Sequence, residues 1–333
     1  MTFGELMDYR SKNYFLIYID VLGYQDFKNI NGNKELYASL EKTRMLAYKI
    51  FSPKVTMKDG SSPDFKIDIK MYTDNILLSV ELKDDEYDIL RCSVTLVLFA
   101  RFLAEVLKEC HLQLRGAVTC GKCDIEHFIF GDPYLEAHNL ESKSAVWSRI
   151  MFSENVLEKY VDPAIKEKIV RRDERGLPFL DYLRSIIEFS LGNRDGLGLF
   201  VKEHYDSVMQ ISKNTFQKDR IFKVHSLRGM VYFRRITENI HKLSMYHNAV
   251  CDDYGLEDLK LPVVDATNTF LEDYENFIKV WDKTDHKNTE NLRMAFDKLL
   301  ESYETVCNDL ERDLKLYSDI EKLERERIAK RRV

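Results

Sequence analysis

Two aspartates at the ends of apolar segments are the residues of this sequence best suited to chemistry. Asp20 interrupts an apolar run that begins at Tyr14, and Gly23 follows it as a residue that permits a tight turn. Asp74 lies between two apolar segments, in the polar sequence 72–75. Carboxylates from separate strands of one sheet can together hold Mg²⁺ or Mn²⁺ against the oxygens of a triphosphate. The simpler alternatives are that Asp20 caps a helix and that Asp74 forms a turn.

The elements that must position these aspartates are predicted from the periodicity of apolar residues. The β-branched and aromatic residues of 14–27 predict a buried strand, followed by a glycine turn and a helix start whose free N–H groups can bind an anion. Residues 65–80 predict a β-hairpin with Asp74 at its tip. Further predictions are helices at 34–51, 84–110, 131–142 and 154–160, strands at 111–121, 122–130 and 149–152, and a hairpin at 169–183.

This order of elements predicts an α+β fold, in which helices cover a mostly antiparallel sheet. From about residue 192 onward long helical stretches dominate, and Pro262 is the only proline. We therefore predict two parts, residues 1–190 and an α-helical region at 191–333. The predicted helices of the second part are 204–216, 231–252, 270–283 and 289–330. The last helix carries an apolar stripe typical of a helical pair or short coiled coil, at Leu299, Tyr303, Val306, Leu310, Leu314, Tyr317, Ile320 and Leu323.

Length, composition and charge exclude several classes of protein. With 333 residues, 44% of them hydrophobic, the chain can bury a sizeable core. The net charge of −6 argues against nucleic acid as a partner. The longest apolar run, 94–103, contains Arg101 and is too short to cross a bilayer, so we expect no membrane contact. The N-terminal residues lack the pattern of a secretory signal, which favours a cytoplasmic location.

The cysteines indicate reduced thiols in the cytoplasm. Cys120 and Cys123 form one C-x-x-C pair, but no second Cys or His pair lies at the spacing of a zinc ribbon. His241, His247 and Cys251 share one predicted helix, and we assign them to packing because they supply too few ligands for a metal. The phosphate-binding pattern G-x-x-x-x-G-K-S/T is absent from the sequence, so any nucleotide chemistry differs from that of P-loop enzymes.

Four segments, in order, resemble the motifs of class III nucleotidyl cyclases. YIDVLGYQDF resembles their first metal-binding segment, F-x-D-I-x-G-F-T, and MYTDNILLSV resembles their second metal-binding hairpin. LRGAVTCG and FGDPYLEAHNLES resemble the family's R-I-G-I-x-x-G strand and W-G-D-x-V-N-x-A-x-R-M-E helix start. The segments span residues 14–142, and looser matches extend to about 185. The resemblance implies a class III nucleotidyl cyclase (ferredoxin-like) sandwich as the catalytic domain. From position alone, we assign the helical C-terminal region to regulation or dimerisation.

The resemblance also implies a two-metal active site. Asp20 and Asp74 would hold two divalent cations, Mn²⁺ or Mg²⁺, with the Val21 carbonyl as a third ligand. The 3′-hydroxyl of a nucleoside triphosphate would attack its own α-phosphate and release pyrophosphate. Because the family builds each site between two cyclase domains, a chain with one such domain would form a homodimer with composite sites. The phosphates would lie against the backbone of Leu22, Gly23 and Tyr24.

Two positions depart from the family pattern. Leu135 stands where the family has an Asn that orients the ribose, and Asn139 stands where it has an Arg that acts in the transition state. A cation is therefore missing from its expected place, and Arg115 and Lys70 are the candidates to compensate. Arg115 and Asn139 join the two aspartates as catalytic candidates. For Arg115, the alternative is a surface salt bridge.

The residues at the base-selecting positions do not favour a purine. These positions correspond to Lys70 and Phe128, and an apolar Phe128 cannot accept a hydrogen bond from an adenine amino group. Within the superfamily, the sequence best resembles the bacterial pyrimidine cyclases of Pycsar antiphage systems, which make cyclic UMP or cyclic CMP from UTP or CTP. That resemblance implies a second messenger that activates a separate effector after infection. The matching residues are Asp20-Val21-Leu22-Gly23-Tyr24, Tyr72-Thr73-Asp74-Asn75-Ile76, Leu114-Arg115-Gly116-Ala117-Val118, Tyr134, Glu136, Ala137, Leu140 and Glu141.

Two other functions stay open from the sequence. Leu135 and Asn139 suggest a degenerate cyclase-fold protein that binds nucleotide, or another protein, without turnover, although the presence of both aspartates argues against it. The other is an interaction scaffold in which the C-terminal helices do the main task. Near the expected nucleotide site, Tyr134, Glu136 and His138 are either nucleotide contacts or packing residues.

Overall fold

The structure is a computed structural model, and it describes residues 11–24, 28, 32–52, 66–126, 129–190, 194–215, 227–283, 291, 294–309 and 312. Contacts within the chain divide it into two compact units, residues 1–200 and 201–333. The assignment of residues 1–190 to catalysis and of 191–333 to regulation or dimerisation stays a prediction. Among the described residues, no helix combines the length and the apolar character needed to cross a lipid bilayer.

The first unit alternates strands and helices. Every helix and hairpin predicted between residues 34 and 183 is found within a few residues of its predicted ends, whereas the helices Pro163–Ile169 and Tyr182–Ser190 are absent from the prediction. In chain order the elements are β1 (Lys12–Leu22), α1 (Asn33–Ile50), β2 (Asp68–Tyr72), β3 (Asn75–Glu81), α2 (Asp88–Cys110), β4 (Gln113–Cys123), α3 (Asp132–Ser144), β5 (Ile150–Phe152), α4 (Glu154–Lys159), α5 (Pro163–Ile169), β6 (Val170–Arg172), β7 (Pro178–Leu180) and α6 (Tyr182–Ser190).

One predicted break between strands is wrong. We predicted separate strands at 111–121 and 122–130, but β4 continues past Gly121 to Cys123. The reason is tertiary, because β4 pairs with β1 along its whole length and the cross-strand hydrogen bonds hold it extended. Beyond β4, Asp124 and Phe130 form an isolated antiparallel bridge.

The strands form one mixed sheet in the order β2-β3-β1-β4-β5-β7-β6. Strand β5 runs parallel to β4, and the other neighbouring pairs are antiparallel. The connection β1-α1-β2-β3-α2-β4 places β1 between β3 and β4, which is the split βαβ arrangement of ferredoxin-like folds. The predicted α+β class is therefore confirmed.

Strand β1 lies at the centre of the sheet and is buried on both faces. Phe15, Leu16, Ile17 and Ile19 are fully buried, which explains why this run is continuously apolar instead of alternating. Such β-branched and aromatic side chains also favour extended backbone. Helix α2 packs against α1, α6 and β4, and α3 packs against β4 and β1. Asp20, near the end of β1, is therefore carried by the buried central strand of the sheet.

The described elements of the second unit are helices. They are α7 (Arg194–Thr215, which begins before residue 201), α8 (Leu227–Tyr254), a 3₁₀ turn (Glu257–Leu259), α9 (Val263–Lys283) and a helical segment at 294–309. The helices predicted at 204–216, 231–252 and 270–283 correspond to α7, α8 and α9, each of which begins earlier in the chain than predicted. In the predicted stripe Leu299, Tyr303 and Val306 are buried. The rest of the stripe lies outside the described residues, at Leu310, Leu314, Tyr317, Ile320 and Leu323.

Histidines of the second unit make packing contacts. The Nδ1 atoms of His204 and His247 are 2.9 Å apart, and Nε2 of His247 lies 2.8 Å from the Leu259 carbonyl oxygen. The Sγ atom of Cys251 lies 3.4 Å from the same Nε2. Burial lowers the pKa of His247 to about 4, so the ring is neutral at pH 7 and joins two helical segments through hydrogen bonds.

Candidate active site

Strand pairing brings the two predicted metal-binding aspartates to the same end of adjacent strands. In the β1–β3 register, Asp20 lies opposite Asn75, the residue that follows Asp74. The Val21 amide donates a hydrogen bond of 3.0 Å to the Asp74 carbonyl oxygen, which ties the hairpin turn to β1. The turn between β2 and β3 has only two residues, and Thr73 adopts a positive φ of 50° within it. The predicted hairpin with Asp74 at its tip is thus found.

Asp20 is largely buried and pairs with Arg115. Its Oδ2 atom accepts hydrogen bonds of 3.1 and 3.0 Å from Nε and Nη2 of the guanidinium. Burial has the largest effect on the pKa of Asp20 and raises it, and the negative charge of Asp74 raises it further. Arg115 and His138 lower it, but the net pKa is raised. Because the two aspartates repel each other, a cation between them would be stabilised.

A close approach of backbones places Arg115 beside Asp20. Arg115 lies opposite Asp20 in the β1–β4 register. A Cβ atom on the next residue, Gly116, would lie only 2.0 Å from the Tyr18 carbonyl oxygen, so only glycine lets the strands meet here. Sequence reasoning selected Arg115 from its motif, and the structure shows a part-buried ion pair with an aspartate.

Glu141 is a second partner of Arg115 that sequence reasoning did not select as a site residue. Its Oε1 atom lies 2.7 Å from Nε of Arg115, and the residue is 3% exposed. The buried residues of α3 are Pro133, Ala137 and Glu141, spaced one turn apart. A glutamate on the apolar stripe of a helix is the signal that could have identified it, because buried carboxylates are usually paired.

Asp74 is oriented by its neighbours in the chain. Its Oδ1 atom accepts hydrogen bonds of 2.7 Å from Thr73 Oγ1 and 3.1 Å from Asn75 Nδ2. Asn75 is in turn held by Tyr18, whose hydroxyl donates to Asn75 Oδ1. Tyr18 precedes Asp20 by two residues and therefore points to the same face of β1. This alternation could have marked Tyr18 as a residue that supports the site.

The aromatic ring of Tyr18 connects β1 to α3. The ring centroids of Tyr134 and His138 lie 5.6 and 5.9 Å from that of Tyr18. These residues therefore have packing contacts beside the aspartates, while the sequence-based alternative of nucleotide contact stays a prediction. Glu136 is exposed, and burial of part of its side chain raises its pKa.

Other predicted site residues are not brought to the aspartates by any described contact. Lys70 donates a hydrogen bond from Nζ to the Ile125 carbonyl oxygen. Leu135 and Asn139 are exposed on α3, and Leu135 is 52% exposed. Phe128 lies outside the described residues.

The predicted phosphate-binding segment follows directly on β1. Leu22 ends the strand, Gly23 has a positive φ of 74°, and Tyr24 is helical. The glycine turn that was predicted here is therefore found. Its role with phosphate stays a prediction, since most of the helix predicted after Tyr24 lies outside the described residues.

The C-x-x-C cysteines have the properties of core residues. Cys120 and Cys123 are buried thiols, and burial raises the pKa of each to about 11. A thiol with such a pKa is protonated at pH 7 and is a poor metal ligand or nucleophile.

The chemistry of the aspartate pair fits a hard divalent cation. Two carboxylates and a backbone carbonyl, that of Val21, are oxygen donors of the kind Mg²⁺ and Mn²⁺ prefer. Within the described residues, no group of three or more His, Cys, Asp and Glu side chains could hold a metal ion. Two carboxylates with substrate phosphates match the usual mode of Mg²⁺ binding.

Comparisons with known proteins find little. No protein-family model matches the chain, and no curated protein matches it. Among solved structures, the adenylyl cyclase CyaB from P. aeruginosa matches over 51% of this chain and 93% of its own, with 14% identity and a TM-score of 0.37. A similarity of this size establishes neither a shared fold nor a shared activity.

Proposed function

We propose that this chain is a nucleotidyl cyclase, which converts a nucleoside triphosphate into a 3′,5′-cyclic nucleotide and pyrophosphate. The observation that carries the proposal is the juxtaposition of Asp20 and Asp74 through the β1–β3 register. Both aspartates belong to the ordered segments that resemble class III nucleotidyl cyclases. The split βαβ connection is compatible with the ferredoxin-like sandwich of that family.

In this proposal the chain's own groups hold the triphosphate and its cations. Asp20, Asp74 and the Val21 carbonyl bind two divalent cations, Mn²⁺ or Mg²⁺. When bound, such cations lower the pKa of the attacking hydroxyl and neutralise charge on the leaving group. The backbone of 22–24 holds the β- and γ-phosphates. The 3′-oxygen forms a bond to the α-phosphorus while the bond to the leaving pyrophosphate oxygen breaks, and the hydroxyl proton passes to solvent.

Arg115 compensates, in this proposal, for the cation that the family has at the position of Asn139. Its guanidinium is 26% exposed and lies 3.0 Å from the Asp20 carboxylate. It is therefore near enough to bind phosphate oxygens as negative charge moves toward the leaving group. Asn139 is proposed to contact the substrate from the other subunit.

We further propose a pyrimidine nucleotide, UTP or CTP, as the substrate. One support is the resemblance of the four segments to Pycsar pyrimidine cyclases. The other is Lys70, which occupies a purine-selecting position but donates to the Ile125 carbonyl oxygen. If Lys70 were to donate a hydrogen bond to a purine base, its hydrogen bond to the Ile125 carbonyl oxygen would first have to break.

The proposed assembly is a homodimer with composite sites. Leu135 and Asn139, which correspond to the substrate-contacting positions of the family, lie exposed on α3 and are accessible to a second subunit. The cyclic nucleotide would act as a second messenger on a separate effector in antiphage defence, for which the support is the motif resemblance alone. The helical region 191–333 is proposed to regulate or reinforce the dimer.

A product assay tests the activity. The purified chain is incubated with Mn²⁺ and each of the four ribonucleoside triphosphates, and products are separated by liquid chromatography and identified by mass. We expect cyclic UMP or cyclic CMP together with pyrophosphate. Asp74→Asn should abolish turnover. The matched variant Asp68→Asn should retain it, because it removes an aspartate on β2 that pairs only with Lys66 in the described contacts, at 2.6 Å.

Absence of a cyclic product with all four nucleotides, at high protein concentration, would contradict the proposal and favour a nucleotide-binding protein without turnover. Full turnover by Asp74→Asn would show that the metal assignment is wrong.

A further inference from the structure

The guanidinium of Arg115 lies between two carboxylates from different elements. Asp20 on β1 is 3.0 Å from Nη2, and Glu141 on α3 is 2.7 Å from Nε. The side chain of Glu141 is 5% exposed, whereas that of Asp20 is 18% exposed. Only Asp20 belongs to the proposed cation site, so the two carboxylates have different tasks.

Glu141 holds Arg115 by charge. The Nε group donates its hydrogen bond to Asp20, and Oε1 of Glu141 accepts none from the described residues although it is buried and close. Burial has the largest effect on the pKa of Glu141 and raises it, and the negative charge of Asp20 also raises it. Arg115 and His138 lower it, but the net pKa is raised. A buried carboxylate in this position needs the guanidinium as its counter-ion, so Arg115 stays beside Glu141 whatever binds to Asp20.

This arrangement affects the competition for Asp20. A divalent cation at Asp20 must displace part of the interaction with Arg115. With Glu141 present, the guanidinium has a second counter-ion and Asp20 keeps net negative potential toward the cation. Without Glu141, Arg115 would neutralise Asp20 alone and compete more strongly with the cation.

We propose that Glu141 is a positioning residue that shares Arg115 with Asp20 and thereby keeps Asp20 available to a divalent cation. The inference rests on the proposed function, because it takes Asp20 as a cation ligand. Glu141 itself contacts neither the substrate nor the cation. It acts from α3 through the guanidinium of Arg115.

Mn²⁺ binding to the nucleotide-free protein tests the proposal. Free Mn²⁺ is followed by electron paramagnetic resonance during titration of the wild type, Glu141→Gln, Arg115→Gln and the double variant. We expect Glu141→Gln to weaken Mn²⁺ binding about tenfold, as for loss of a close charge interaction. Arg115→Gln should strengthen binding, and adding Glu141→Gln to it should change the affinity by less than about twofold, because the competitor is already gone.

Two further variants control for charge and folding. Glu154→Gln breaks an exposed ion pair with Arg172 of 2.9 Å and should leave Mn²⁺ affinity unchanged. Glu141→Asp keeps the charge but shortens the side chain, so it should weaken binding by less than Glu141→Gln does. If Glu141→Gln does not fold, the same comparison with and without Arg115 is made with Glu141→Asp. The double variant removes Arg115 and Glu141 together, so no charged Glu141 is left buried without its counter-ion.

The possible outcomes separate the two proposals. The inference is overturned if Glu141→Gln binds Mn²⁺ as the wild type does, or if its effect persists when Arg115 is absent. The proposed function fails in a different way, if Asp20→Asn retains wild-type affinity for Mn²⁺.

Discussion

At the residue scale, the site combines burial with charge in a way that works against stability. Asp20 is part-buried and lies near a second carboxylate, Asp74. Burial and this repulsion outweigh the ion pair with Arg115, so the pKa of Asp20 is raised. Groups that must bind a charged ligand commonly have this property, because the ligand supplies the missing counter-charge.

The raised pKa of Asp20 predicts a pH dependence of stability. The folded protein keeps a proton on Asp20 at pH values where the unfolded chain, with the ordinary pKa of 3.8, has lost it. The free energy of unfolding of the wild type therefore falls, relative to that of Asp20→Asn, as the pH rises through and above this value. Urea unfolding of both proteins from about pH 3 to pH 7 measures their free energies of unfolding. The variant should become more stable relative to the wild type as the pH rises.

Asp85 provides a control of opposite sign. A hydrogen bond from Arg91 lowers the pKa of Asp85, so its contribution to stability is present at neutral pH and is lost as the pH falls through the folded pKa. The difference in the free energy of unfolding between Asp85→Asn and the wild type should therefore change in the opposite direction as the pH rises. If the free energies of unfolding of Asp20→Asn and the wild type differ by the same amount at every pH, the raised pKa of Asp20 is contradicted.

At the element scale, the fit of β4 against β1 positions Arg115. Gly116→Ala would place a methyl group against the Tyr18 carbonyl oxygen, because a Cβ atom at this position would lie only 2.0 Å from that oxygen. We expect a loss of about 2–4 kcal/mol in the free energy of unfolding, because backbone cannot move aside as a flexible side chain can. Turnover should also fall in any protein that folds, since Arg115 is displaced.

Gly198→Ala is the matched control. Gly198 lies in α7, and a Cβ there would meet nothing within 4 Å. The same substitution should therefore stabilise the helix by up to about 1 kcal/mol. Denaturant midpoints compare the two variants, and equal stability of Gly116→Ala and wild type would show that the strands are farther apart than described.

At the scale of the whole molecule, a composite dimer predicts complementation. In such a dimer Asp74 and Asn139 of one site come from different subunits, so Asp74→Asn and Asn139→Ala should each be impaired alone. Equal mixing with subunit exchange makes half of the dimers mixed, each with one intact site, which predicts about one quarter of wild-type turnover.

A mixture of Asp20→Asn and Asp74→Asn serves as the control for this experiment. Both substitutions fall in the same half of the site, so no mixed dimer has an intact site and turnover should not return. If Asn139→Ala with Asp74→Asn is no more active than the separate variants, the site is not shared in the proposed way.

The sequence by itself predicted most elements of the first unit and three residues of its candidate site. Helices such as α1 and strands such as β1 were predictable because their apolar residues repeat with the period of the element. Asp20 and Asp74 were predictable because a carboxylate at the end of an apolar run has no role in a core. Arg115 was found from its motif.

Only the tertiary structure decided which of these residues meet. The β1–β4 register places Arg115 against Asp20 from 95 residues away and keeps β4 unbroken past Gly121. Lys70, on β2, donates instead to the Ile125 carbonyl oxygen, 55 residues away. The contact of Glu141 with Arg115 also depends on how α3 packs. Register is set by the burial of whole strand faces, since a slip of one residue would turn every side chain to the other face. That constraint acts across the sheet, and no local stretch of sequence contains it.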